Sequence, residues 1–97
     1  MYIYDFRLSK HTLFAGPRHG AQGFKEFQVL TRCHSNFLKI MCRDDQLITS
    51  SYFYGMLFNI IPLLGKTVQE VTANCNIEDL NARSKEEFLR AVRRILM

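Results

Sequence analysis

Apolar residues recur at helical spacing between positions 53 and 64, and this is the most regular pattern in the chain. They fall at i, i+3, i+4, i+7, i+8 and i+11, the residues being Phe53, Met56, Leu57, Ile60, Ile61 and Leu64. Because an α-helix has about 3.6 residues per turn, this spacing places all of these side chains on one stripe. The pattern predicts an amphipathic helix that the rest of the chain covers.

Start and stop signals stand on either side of this apolar stripe. Residues 49–51 supply three consecutive hydroxyls, which are typical of a helix N-cap. Pro62 removes a backbone donor, so it predicts a kink or an early end of the helix at 60–62. Gly65 stands where helices often finish on a left-handed residue.

Other stretches of the chain have the patterns of strands. Residues 2–8 alternate between two faces, and 13–15 predict a short second strand. The run 36–42 is apolar nearly throughout, which is typical of a strand covered on both faces. Val68 and Val71 favour a further strand over 66–73.

Two more helices complete the predicted elements. Three glycines and Pro17 predict a loop over 16–23, followed by a helix over 24–32. Near the end of the chain, Ser84 and Glu87 form the S-x-x-E pattern of a capping box. The apolar face of this last helix consists of Phe88, Ala91, Val92 and Ile95.

The predicted order is therefore β, (β), α, β, α, β, α in one domain of 97 residues. Strands that alternate with helices indicate an α/β fold with a mixed or mainly parallel sheet.

The charge and the cysteine content exclude only a few classes of protein. A net charge of +4 permits an acidic partner or nucleic acid but requires neither. The three cysteines, Cys33, Cys42 and Cys75, are widely spaced and include no C-x-x-C, which argues against a disulfide framework. Free thiols, no signal-peptide pattern and no bilayer-length apolar run lead us to expect a cytoplasmic protein that does not enter the membrane.

No catalytic motif is evident, so we predict no enzymatic activity, no catalytic residue and no cofactor. The chain contains residue types that could act as nucleophile, base and orienting carboxylate, namely Ser50, His34 and Asp44. Nothing in the sequence brings these three together. A G-x-S-x-G elbow is also missing.

Metal binding is not predicted either. No known pattern of metal ligands matches the spacing of the three histidines and the cysteine beside one of them. These residues are His11, His19, His34 and Cys33. Asp44 and Asp45 could hold a magnesium ion at the end of a strand, but a solvated turn is the interpretation we favour.

Two basic groups are candidates for contact with anions. Arg18, His19 and Gly20 belong to the glycine-rich loop that precedes a helix, where an anion could bind, although a tight connection explains the glycines equally well. The last helix offers a possible nucleic-acid face, formed by Arg90, Arg93 and Arg94. These arginines are not interleaved with exposed aromatics in the sequence, so a base-stacking platform is not predicted.

We call the segment of Thr49, Ser50 and Ser51 the hydroxyl turn, and it has two interpretations. As a plain cap it contributes about 1 kcal/mol to stability. As a regulatory site, Ser50 or Ser51 would gain about two negative charges on phosphorylation, beside the positive end of the helix dipole.

Three short motifs resemble the STAS-like family of small bacterial and phage domains, and the resemblance covers roughly residues 14–96. The first is the glycine-rich lead-in that begins Gly16-Pro17 and reaches Phe24-Lys25. The second is the strand 36–42 with its Asp44-Asp45 end. The third is the turn and helix start Ile48-Thr49-Ser50-Ser51-Tyr52-Phe53, followed by Gly55-Met56-Leu57-Phe58.

The resemblance implies a STAS-like sandwich with a mixed or parallel sheet of roughly four strands and about three helices. The wider STAS group includes non-enzymatic anti-sigma-factor antagonists, which are controlled by phosphorylation of a serine in an Asp-Ser-Ser-Gly turn. Ser50 stands at the position of that serine, Thr49 at that of the aspartate and Tyr52 at that of the glycine. A histidine-kinase-type ATPase is the partner implied.

We therefore expect a non-enzymatic protein-interaction module that uses the turn formed by Thr49, Ser50, Ser51 and Tyr52. The alternative is a small basic accessory protein of phage type, which binds nucleic acid or inhibits a host nucleic-acid enzyme.

Overall fold

The computed structural model describes residues 2–26, 28–30 and 37–97, and for 23–26 and 28–30 it describes the backbone alone. The strands are β1 (Tyr2–Asp5), β2 (Leu13–Phe14), β3 (Gln28–Leu30), β4 (Leu38–Met41), β5 (Leu47–Ile48) and β6 (Cys75–Asn76). The helices are α1 (Pro17–Glu26), α2 (Ser50–Leu57), α3 (Ile61–Leu64), α4 (Val68–Ala73) and α5 (Ala82–Leu96), and a 3-10 turn, Phe6–Leu8, follows β1.

The strands pair in two groups. In the larger group the order is β3-β1-β4-β6, where β1, β4 and β6 are parallel and β3 is antiparallel to β1. In the smaller group β2 runs parallel to β5, with Leu13 opposite Leu47 and Phe14 opposite Ile48. The predicted α/β class with both parallel and antiparallel pairing is confirmed.

The apolar stripe is the centre of the core, as predicted. Each of its residues is at most 3% exposed: Phe53, Met56, Leu57, Ile60, Ile61 and Leu64. The last helix, α5, covers the stripe with Phe88, whose ring packs edge-on against Phe53 at 5.5 Å between centroids. Burial of side chains of this size contributes about 1.5–3 kcal/mol each, so this stripe is a major source of stability.

A break at 58–60 divides the stripe between two helices, and it begins two residues before the predicted interval of 60–62. Helix α2 ends at Leu57, and α3 begins at Ile61 with Pro62 in its first turn, where a missing amide donor costs nothing. The prediction for Gly65 is wrong, because its φ of 167° is ordinary extended backbone. A glycine is needed there for space, since a Cβ atom would lie 2.5 Å from Cβ of Glu70.

The predicted loop over 16–23 is wrong, because most of it forms helix α1. Pro17 is the first residue of this helix, a position at which proline is favourable. Gly20 faces α2 so closely that a Cβ atom would overlap the carbonyl oxygen of Tyr52, and Gly55 of α2 is pressed in the same way against the carbonyl oxygen of Pro17. The glycines that suggested a loop therefore allow two helices to touch backbone to backbone.

Two further predictions of secondary structure are wrong. Residues 28–30, expected in a helix, form β3 beside β1, while 27 and 31–36 lie outside the described residues. The expected strand over 66–73 is instead helix α4, which Thr67 caps by accepting a hydrogen bond from the Glu70 amide. Valines three positions apart share one side of a helix, and here Val71 is fully buried.

Helix α5 starts earlier than its sequence pattern indicates. Its N-cap is Asn81, whose Oδ1 accepts a hydrogen bond from the Ser84 amide at 2.9 Å. Ser84 is fully buried, and its hydroxyl accepts a hydrogen bond from the Ile48 amide at 3.3 Å. The predicted capping box is therefore wrong, because Ser84 anchors α5 to β5 instead of starting the helix.

Gln46 fixes the turn that leads into β5. Its Nε2 donates to the carbonyls of Phe6 and His11, and its Oε1 accepts from the Arg43 amide at 2.8 Å. This side chain is 2% exposed and fully hydrogen bonded, so it holds the segment before the hydroxyl turn in place.

None of the helices in the described part of the chain has the length and apolar character needed to cross a bilayer.

Replacing Gly55 with alanine tests the contact between α1 and α2. At a solvent-exposed position inside a helix, replacing glycine with alanine would raise the free energy of unfolding by about 1 kcal/mol. Here the new Cβ atom would meet the Pro17 carbonyl, so we expect a loss of about 2–3 kcal/mol in the free energy of unfolding, measured by urea denaturation. Gln22→Ala, at an exposed position of α1, is the control and should change little. A Gly55→Ala protein more stable than the wild type would refute the close contact.

Replacing Tyr4 with phenylalanine tests a buried hydroxyl. Tyr4 is fully buried, and its hydroxyl has no hydrogen-bond partner among the described residues. Burial raises the pKa of this phenol, so the group stays neutral. We expect Tyr4→Phe to stabilise the fold by about 1 kcal/mol, because an unpaired polar group no longer has to lose its hydration. A large loss of stability in the same urea titration would show that the hydroxyl has a partner.

Candidate functional site

The hydroxyl turn lies between β5 and α2. Thr49 is the N-cap of α2, and its Oγ1 accepts a hydrogen bond from the Tyr52 amide at 3.3 Å. The same hydroxyl donates to the Phe14 carbonyl at the end of β2, at 3.1 Å. Ser51 Oγ lies 3.1 Å from Thr49 Oγ1 and accepts from the Gly16 amide at 3.2 Å. Two of the three hydroxyls therefore join the start of α2 to the end of β2 and the entry of α1.

Ser50 differs from its two neighbours. It is the first residue of α2 and is half-buried, and its hydroxyl makes no hydrogen bond to another described residue. Because the first amides of a helix lack intrahelical partners and the dipole is positive there, a negative group on Ser50 would be stabilised in place. Of the two serines predicted as a regulatory site, Ser50 is the one whose hydroxyl is available.

Tyr52 lies in the core. It is 3% exposed, and its ring packs edge-on against Phe6 at 5.9 Å and Phe14 at 5.5 Å between centroids. Tyr52 therefore fills space beneath β2. Its role here is to support the turn.

A surface of aromatic and arginine side chains continues from Ser50. Positions 50, 54 and 58 are four apart, so Ser50, Tyr54 and Phe58 share one side of α2. The rings of Tyr54 and Phe58 are 5.4 Å apart, and Phe58 is 49% exposed. From α5, the guanidinium carbon of Arg94 lies 4.6 Å from the centre of the Tyr54 ring. We call Tyr54, Phe58 and Arg94, together with the exposed Arg93 that precedes Arg94 in α5, the aromatic–arginine surface.

The sequence did not show this surface. The arginines of α5 are not interleaved with aromatics in the sequence, but Arg94 meets Tyr54, which comes from a different helix. One signal was available, namely that both aromatics fall off the apolar stripe of α2, at positions one and two turns after Ser50.

The three arginines predicted as a nucleic-acid face have different surroundings. Arg90 forms an ion pair with Glu87, at 3.1 Å between Nη1 and Oε2. Arg93 and Arg94 lie in the last turn of α5 and are exposed, and neither has an acidic partner among the described residues. Two adjacent arginines without an acidic partner among the described residues therefore lie at the end of this helix.

The group Arg18, His19 and Gly20 does not converge on one point. Gly20 is buried against α2, and Arg18 is exposed in the first turn of α1. His19 lies beside the Ala15 carbonyl, with Nδ1 at 3.2 Å from the oxygen.

A cleft of about 370 Å³ adjoins His19. Its lining combines two exposed imidazoles with apolar and aromatic side chains, namely His11, Leu13, Phe14, Ala15, His19, Gln22 and Tyr52. Within the described ranges, no group of three or more histidine, cysteine, aspartate or glutamate side chains is placed to hold a metal ion.

The remaining candidate groups are not brought together. His34 and Cys33 lie outside the described residues. The distances from His34 to Ser50 and Asp44 are therefore not described. Asp44 and Asp45 are exposed in the turn after β4, and Asp45 pairs with Arg43 at 3.0 Å.

Two cysteines are described as free thiols. Burial raises the pKa of the Cys75 thiol to about 12, so this group is protonated at neutral pH and is a poor nucleophile. Cys42 is buried, and Asn81 donates to its sulfur at 3.5 Å.

Single alanine replacements in the turn test which hydroxyls support the fold. We expect Thr49→Ala and Ser51→Ala each to lower the free energy of unfolding by about 1 kcal/mol, because each removes a bonded hydroxyl. Ser50→Ala should change it by less than about 0.5 kcal/mol. Thermal and urea unfolding check this, and an equal loss in all three variants would contradict the availability of Ser50.

Comparison of the chain with protein-family models, with curated proteins and with solved structures finds no match. The resemblance to STAS-like domains therefore stays a prediction that depends on this chain's own residues.

Proposed function

We propose that this chain is a non-enzymatic protein-interaction module of STAS-like fold, which binds its partner through Ser50 and the adjoining side of α2. The observation that supports the proposal is the hydroxyl of Ser50, which has no hydrogen-bond partner among the described residues and lies at a helix start between two hydroxyls that are bonded. The sandwich with a four-stranded sheet, implied by the resemblance, belongs to the same proposal.

Such a hydroxyl suits control by phosphorylation. A phosphate on Ser50 would add about two negative charges. The positive end of the α2 dipole would stabilise them, so the fold would tolerate the change while a partner in contact with Ser50 would meet a new charge. The partner class that the resemblance implies is a histidine-kinase-type ATPase, which would transfer the γ-phosphoryl group of ATP to the hydroxyl and release ADP.

A second candidate function is that of a basic accessory protein, which binds nucleic acid or inhibits a nucleic-acid enzyme. It is favoured by the two exposed arginines in the last turn of α5, of which Arg94 lies over the ring of Tyr54. Direct binding to nucleic acid would weaken steeply with added salt, because phosphate contacts release counterions.

Site-specific photo-crosslinking in the native cell tests the leading proposal. A photoreactive residue at position 50 should capture a defined protein, whereas the same residue at exposed Gln69 on α4 should not. With that protein purified, calorimetry should show that Ser50→Asp weakens binding about tenfold or more while Ser50→Ala has little effect, since charge and not the hydroxyl is decisive.

Two results would reject the proposal. One is equal crosslinking from positions 50 and 69. The other is unchanged affinity of the Ser50→Asp protein for the captured partner, provided that circular dichroism shows the variant to be folded.

A further inference from the structure

The aromatic–arginine surface combines a partly exposed aromatic ring with a tyrosine that lies against an arginine. Phe58 leaves about half of its area in water, at 49% exposure. One turn away, Tyr54 is covered on one face by the guanidinium of Arg94, at 4.6 Å. Tyrosine and arginine are among the residues that most often dominate the energy of protein interfaces.

The charge on this surface is not balanced from within. Arg90, one turn earlier on α5, is paired with Glu87, but no acidic side chain among the described residues approaches Arg93 or Arg94. The negative end of the α5 dipole stabilises these two arginines by a fraction of a kcal/mol. It does not account for the aromatic pair on a different helix.

Stacking keeps the Arg94 guanidinium in a defined position. A cation held over an aromatic ring remains fully charged and keeps its N–H groups at the edge of the plane free to donate. A carboxylate that approaches from the side can therefore accept two parallel hydrogen bonds without first ordering a mobile side chain.

The same observations favour a protein over a nucleic acid as the occupant. A nucleic acid is bound by a run of cations that follows its phosphates. On this surface the uncompensated cations are confined to one turn of α5, while Phe58 adds apolar area that fits an aliphatic side chain.

We propose that the aromatic–arginine surface binds an acidic, amphipathic segment of a partner protein. Carboxylates of that segment pair with Arg93 and Arg94, and one of its apolar side chains packs on Phe58. The inference rests on the proposed interaction function and adds the chemistry of the partner.

Fluorescence anisotropy with defined probes tests this assignment on the full chain. The probes are an 18-residue helical peptide with glutamates along one side and leucines along the other, the same peptide with glutamine for each glutamate, and an 18-nucleotide single-stranded oligo-dT. We expect the glutamate peptide to bind about tenfold more tightly than the glutamine peptide, with an affinity that falls as salt is raised.

Variants of the chain test which of its residues bind the glutamate peptide. Arg93→Glu combined with Arg94→Glu should lower the affinity for the glutamate peptide about tenfold or more, and Phe58→Ser should lower it several-fold. Arg83→Glu, in the first turn of the same helix, is the matched control and should change it less than about twofold. A lysine version of the peptide should bind the doubly reversed protein, which shows that the variant is folded and that charge determines recognition.

The proposal is overturned if the glutamate peptide binds no better than the glutamine peptide, or if charge reversal leaves its affinity unchanged. Oligo-dT binding that is tighter and is lost on the same reversal would assign the surface to nucleic acid instead. If the peptide fails while the partner captured at position 50 still responds to Ser50→Asp, this inference fails and the proposed function stands.

Discussion

The contact between the backbones of α1 and α2 determines where the hydroxyl turn can form. Gly20 and Gly55 each leave no room for a Cβ atom, so the two helices approach as closely as backbone sterics allow. This approach places the Gly16 amide within hydrogen-bond reach of Ser51. The hydrogen bond that joins Ser51 to the entry of α1 therefore depends on this contact.

The apolar pattern predicted the core but not the neighbours of each element. The six stripe residues between Phe53 and Leu64 are all buried, and the helix is interrupted at 58–60, just before Pro62. Both features follow from local chemistry alone. Which helix covers which part of the stripe depends on contacts between segments far apart in the sequence, and those leave no periodic signal.

The wrong predictions have specific physical causes. Glycines in 16–23 were interpreted as conformational freedom, whereas Gly20 is required by close packing against Tyr52 of another helix. The valines of α4 are spaced equally well for a helix face, and the cap at Thr67 decided the outcome. Ser84 matches a capping box in sequence, but Asn81 caps α5 and leaves Ser84 to bond Ile48.

The bond between the Ile48 amide and Ser84 has a consequence for how this chain meets others. Because β5 pairs with β2 along one side, its outward donor is the Ile48 amide, and a buried hydroxyl from α5 already occupies it. Exposed strand edges are templates on which a further strand can add, and aggregation follows when that happens without control. Addition of a strand here would first have to displace the opening turn of α5 from the core, so this edge is protected by a helix and not by another strand.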